Sequence, residues 1–148
     1  MRPLAALALV LVVAAALWYV VAPPRDPPAY RDRASEATQT LHSQVLTAAL
    51  WAQMLADDRT LEPTAAVGLD DNERQAEKAA SKFAAYEPPR GTDGVRERFT
   101  TLANAVTDEL GRLRIAAQRR EWKEVERARP RLERLAAQLE EFRRTLRG

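Results

Sequence analysis

The chain has 148 residues, with 23 Lys and Arg against 21 Asp and Glu, five glycines and no cysteine. Without cysteine there is no disulfide, thiolate metal site, lipid-modified cysteine or thiol nucleophile, and the chain is compatible with either side of a membrane. Alanine, leucine, arginine and glutamate dominate, all good helix formers, so the composition reads as all-α, with length for one domain and a single core.

From Leu4 to Ala22 run nineteen residues without charge, glycine or proline, LAALALVLVVAAALWYVVA. As a helix they span about 28 Å, close to the ~30 Å hydrocarbon core of a bilayer. Arg2 precedes the run and Pro23-Pro24 stop it, while Trp18 and Tyr19 suit a headgroup layer at its far end. Residues 1–22 are expected to be a single-pass signal-anchor transmembrane helix in the cell membrane, with the remaining domain extracytoplasmic. The alternative is secretion after cleavage following Ala22, but Pro23 at the +1 position obstructs it and the run exceeds a usual signal-peptide core. Arg25, Arg31 and Arg33 follow the span and work against this orientation by the positive-inside rule.

Residues 23–28, PPRDPP, read as a stiff polyproline-like spacer, and residues 29–148 as the bundle domain. A first helix is expected from about Ala29 to Asp57. Tyr30, Ala34, Ala37, Leu41, Val45, Ala48, Ala52 and Leu55 form one apolar stripe on it. A second helix starts between Pro63, suited to a first turn, and Asp70, which with Glu73 forms a capping pair. It ends before Pro88-Pro89 and buries Ala66, Leu69, Ala76, Ala80 and Phe83, with Glu73 at the rim.

Thr92 or Asp93 is expected to cap a third helix, whose stripe is Val95, Phe99, Leu102, Val106, Leu110, Leu113 and Ala117. After a reversal near Gln118 to Glu121, a fourth helix presents Trp122, Val125, Leu132, Leu135, Leu139, Phe142 and Leu146. Pro130 should kink that helix or split off its first turn. Four amphipathic helices with short connections are met most simply by an antiparallel up-down four-helix bundle. The alternative is a three-helix bundle with a loose second helix.

The segments Phe83–Pro89 (FAAYEPP) and Leu113–Arg120 (LRIAAQRR) resemble those of a set of small actinobacterial proteins. Those have one N-terminal span or signal and a helical domain whose second helix ends at a Pro-Pro. The resemblance covers the post-span domain and implies a helical fold and an extracytoplasmic location. It brings no activity, cofactor or catalytic residue. This chain has Arg120-Glu121 where that set places Gly-Asp at its last turn.

Signals for chemistry are few. His42 is the only histidine, adjacent to Leu41 on the first helix, and no nucleophile–base arrangement accompanies it. Asp57-Asp58 and Asp70-Asp71-Asn72-Glu73 read as a helix end and a helix start rather than as a looped cation site. No phosphate loop, dinucleotide fingerprint or zinc-protease pattern occurs. The chain is therefore not expected to be an enzyme, and no cofactor, metal or small-molecule substrate is evident.

Two surfaces stand out. From Gly111 to Gly148 there are twelve Arg and Lys against six Asp and Glu, in a chain of net charge +2. Arg120, Lys123, Arg127, Arg131 and Arg134 share a sector of the fourth helix, and Arg143, Arg144 and Arg147 close the chain. They form candidate contacts to an anionic surface, or else a solvated face interleaved with Glu124. Nucleic acid is not expected, because no aromatics are interleaved with the arginines.

The second surface is on the first helix, where Leu46, Leu50 and Met54 lie opposite the apolar stripe with Trp51 at its flank. Either Leu61 to Leu69 folds back over them, or they are a docking face for a protein partner or a second copy, which Ile115 would extend if it lay beside them. The expected function is that of a membrane-anchored extracytoplasmic interaction or structural module. The alternative is a binder of anionic envelope polymer or lipid headgroups through the basic C-terminal hairpin.

Overall fold

The computed structural model describes residues 26–58 and 60–147. The expectations for residues 1–22, as an anchor or a cleaved signal, lie outside the described residues, as does the spacer up to Arg25. The described residues form four helices and no strand, and none of these helices is long and apolar enough to cross a membrane.

Helix α1 spans Pro27–Ala56. Pro27 and Pro28 occupy its first turn, where backbone N–H groups have no helical partner anyway. The end of the expected spacer is therefore helical. Tyr30, Ala34, Leu41, Val45, Ala48, Ala52 and Leu55 are buried as the stripe requires. Thr38 is buried in that row while Ala37 is only half-buried. Its hydroxyl donates to the Ala34 carbonyl at 2.6 Å, satisfying a polar group that would otherwise be costly to bury.

Helix α2 spans Glu62–Ala84, with Pro63 in its first turn. The start at Asp70 is thereby corrected: that residue lies inside the helix, and helical residues N-terminal to it leave it no orphan amide to cap. The buried row is Ala65, Leu69, Asn72, Ala76 and Phe83, so Ala65 takes the place expected of Ala66. Helix α2 is a full partner in the core, which excludes the loose-helix alternative.

Helix α3 spans Asp93–Gln118. Thr92 is its N-cap residue but makes no capping bond; its hydroxyl donates to the Pro89 carbonyl at 2.7 Å and braces the turn containing Gly91. At the far end the Glu121 amide donates to the Ala116 carbonyl and the Arg120 amide to that of Ala117. This paired closure holds Arg120 in the left-handed region at φ 57°. Helix α4 spans Trp122–Arg147 and runs unbroken through Pro130, whose exposed ring faces solvent, so the expected split does not occur.

The helices alternate in direction. At one end the start of α1, the end of α2 and the start of α3 meet through Tyr30, Phe83 and Phe99, with ring centroids 5.0 and 4.4 Å apart. The end of α4 joins them where Arg98 lies over the Phe142 ring. At the other end Glu62, opening α2, pairs with Arg120 just beyond α3 at 2.8 Å. Helix α1 packs most extensively against α4 and then α2, while α3 lies across the core from it.

Candidate interaction surfaces

Between Glu36 and Asp57 helix α1 carries no Asp, Glu, Lys or Arg over twenty residues, Ala37 to Ala56. That stretch is about 30 Å long. One side of it enters the core; the other holds Leu46 and Leu50, which are 46% and 60% exposed. Met54, one turn further on, is half-buried.

The fold-back of Leu61–Leu69 covers only part of this face. Gly68 brings the α2 backbone against the Trp51 indole, where an added Cβ would stand 2.6 Å from the ring. Trp51 is thus held at the α1–α2 seam and half-buried, while Leu46 and Leu50 point away from it. Ile115 is 40% exposed, on the solvent side of α3, the helix diagonal to α1. It lies on the opposite side of the bundle and does not extend the leucine face.

Four of the eight candidate basic residues are drawn into ion pairs. Arg131 donates to Glu109 at 2.7 Å and to Glu124 at 2.6 Å, linking α4 to the buried Glu109 of α3. Burial pulls the pKa of Arg131 down, and the hydrogen bonds to Glu109 and Glu124 outweigh it, leaving the pKa above its ordinary value. Arg120 pairs with Glu62, and Arg127 approaches Glu124 at 3.9 Å. Arg143 is held by Glu140 at 2.8 Å and by the Gln39 amide oxygen of α1. Lys123, Arg134, Arg144 and Arg147 remain exposed and form no ion pair among the described residues.

Glu73, expected at the rim, accepts from Arg114 of α3 at 2.5 Å. That bond holds the Arg114 guanidinium above its ordinary pKa. Gly111 leaves room beside it, since a Cβ there would stand 3.1 Å from the Glu73 carboxylate.

A groove of about 170 Å³ runs between α1 and α2 on their solvent side. Ala37 of α1 and Ala79 of α2 form its floor, with Phe83 and Tyr86 closing one end. Its rim carries Arg33, Lys78 and Lys82 against one carboxylate, Glu36. Arg33 stacks over the Tyr86 ring, 5.7 Å from its centroid, and lies 3.5 Å from Glu36. Small residues facing each other across the seam leave this space open, which periodicity on either helix alone does not reveal. No known protein family, characterised protein or solved structure matches the chain.

Proposed function

We propose that the chain is a membrane-anchored interaction module, with Leu4–Ala22 in the bilayer and the helical domain on the extracytoplasmic side, and that it acts by contact rather than catalysis. The contact surface is the outer face of α1. The observation that carries this reading is the exposure of Leu46 and Leu50 within twenty consecutive uncharged residues. Protein interfaces are marked by depletion of charge at their centre, whereas no uncharged run in the other three helices exceeds nine residues.

The occupant that fits is α1 of a second copy. A partner face laid on this one must itself lack charge, since an unpaired charge buried there is costly. Another α1 meets that requirement over the same twenty residues, Ala37 to Ala56. Ser43 and Thr47 beside the leucines allow close approach of two helices. Two copies anchored in one membrane would pair with their α1 helices parallel. The basic hairpin is the weaker reading, because Arg120, Arg127, Arg131 and Arg143 are engaged by carboxylates.

The test is Leu46→Glu with Leu50→Glu in the full chain, reconstituted in lipid nanodiscs or analysed in native membranes. Self-association should be lost while helicity and melting temperature stay close to wild type. Retained self-association in the variant, or a wild-type chain that stays monomeric at all concentrations, overturns the proposed contact. Intact mass and protease accessibility on whole cells check the topology. A mature chain starting at Pro23, or a protected domain, overturns that.

A further inference from the structure

We infer that the groove between α1 and α2 binds a monomeric, single-chain anionic amphiphile, with its head at Arg33, Lys78 and Lys82 and its chain on Ala37 and Ala79. The groove is on a different side of α1 from Leu46 and Leu50, so this inference stands apart from the contact proposed above.

The charge of the rim is the first argument. The ion pairs of α2 are made by Glu62, Asp70, Glu73 and Arg74. Lys78 and Lys82 take part in none among the described residues, although they are one helical turn apart on the same helix. Like charges at that spacing repel and weaken a helix. Arg33 adds a third cation across the groove, and only Glu36 opposes them. Lys82 also lies in the last turn of α2, where it complements the helix dipole, but that accounts for one cation of the three.

The floor is the second argument. An inorganic anion would use the cations and leave the half-buried Ala37 and Ala79 methyls in contact with water. A ligand with an apolar tail removes that surface from water as well, and each buried methylene adds to affinity. Size narrows the class. A groove of about 170 Å³ is smaller than the ~300–1,000 Å³ of sites that enclose drug-sized ligands, so it takes one chain end and not a two-tailed lipid. From Gln75 to Phe83 it runs about 12 Å along α2, long enough for a head and a short chain.

The experiment uses the full chain in phosphatidylcholine nanodiscs with isotopically labelled alanine methyls. Hexyl phosphate, inorganic phosphate and hexyltrimethylammonium are titrated separately. Hexyl phosphate should shift the Ala37 and Ala79 methyls saturably, with Ala49, which packs against the core and does not line the groove, unmoved. Inorganic phosphate should bind at least about tenfold more weakly, and the cation should not saturate. Lys78→Gln with Lys82→Gln should weaken hexyl phosphate by about tenfold or more. Ala79→Leu, which fills the floor without adding charge, should abolish the shifts with the helical fold retained. Equal responses to the three probes, or shifts spread equally to Ala49, overturn the inference. So does a response that requires phosphatidylglycerol in the nanodisc and never appears with hexyl phosphate, because the site would then read bilayer headgroups.

Discussion

The indole of Trp51 lies against the backbone of Gly68, which has no Cβ to hold the two helices apart. This contact sets how far α2 wraps around α1. It draws the first turns of α2 over the Trp51 flank and leaves Leu46 and Leu50 outside. Gly68→Ala gains helix propensity of about 1 kcal/mol, but places a methyl 2.6 Å from the ring. Overpacking at a fixed seam costs about 1–3 kcal/mol, so the variant should be net destabilised, by about 1 kcal/mol. Urea unfolding checks the stability, and tryptophan fluorescence should report the displaced indole.

Arg120 holds a left-handed backbone conformation at the end of α3 that glycine adopts without a Cβ penalty. Its ion pair with Glu62 is largely in solvent, with the arginine side chain 71% exposed, and such pairs contribute little. Arg120→Gly should therefore stabilise the domain by about 0.5–1 kcal/mol, read as a raised urea midpoint at unchanged slope. A lowered midpoint would show that the Glu62 pair outweighs the backbone strain.

Most of the apolar stripes of α1, α3 and α4 were readable from spacing because each is a repeat within one helix, although Trp122, expected on the apolar face of α4, is 39% exposed at its first turn. What was not readable depends on contacts between helices. Asn72 is buried and Glu73 is not because the α1–α2 seam passes on the Asn72 side, where the amide lies beside Gln44. The sequence placed Glu124 among the arginines of α4, but not Glu109, twenty-two residues from Arg131 and 2.7 Å from it in the fold. The groove needs Ala37 and Ala79 opposite each other, and no periodicity on one helix predicts that. Leu46 and Leu50 were visible as misfits to the stripe, but their exposure depended on where α2 stops covering α1.

Glu109 is 4% exposed and its carboxylate is satisfied chiefly by Arg131. Arg131→Met removes that partner and leaves Arg112, at 3.8 Å, as a poor substitute. The variant should lose about 1–3 kcal/mol, the cost of an under-satisfied buried group. Adding Glu109→Leu removes the group left behind and should restore most of the loss. A double-mutant cycle in urea measures both steps, and a loss unrelieved by the second change would argue against the pair as its source.

The Tyr30 hydroxyl is buried with no hydrogen-bond partner among the described residues, and burial raises its pKa from the ordinary 10.0, with Arg96 acting the other way. Above that ordinary value the unfolded chain ionises at this tyrosine while the native state keeps its proton. The stability contributed by Tyr30 is thus whole below pH 10.0 and declines as the pH rises towards the native pKa. Tyr30→Phe removes this term and the unpaired hydroxyl together. It should be at least as stable as wild type near pH 8 and lose less stability by about pH 11, compared through urea midpoints at the two values.

The absence of cysteine makes the proposed contact of two α1 helices directly measurable. Parallel α1 helices meeting through Leu46 and Leu50 would bring equivalent positions of two copies face to face. A disulfide forms only when the two Cα atoms lie within about 7 Å, so a single introduced cysteine reports that geometry. Leu50→Cys should yield a cross-linked dimer on mild oxidation of native membranes, and Leu46→Cys should do so less completely or equally, one helical turn away. Ile115→Cys, on the opposite side of the bundle, should remain monomeric under the same treatment. An antiparallel pairing would join Leu46→Cys chains to Met54→Cys chains instead, and would contradict anchorage of both copies in one membrane. Cross-linking of Ile115→Cys as readily as Leu50→Cys would mean that the copies collide without a preferred face. The outer surface of α1 would then need another account of its uncharged twenty residues.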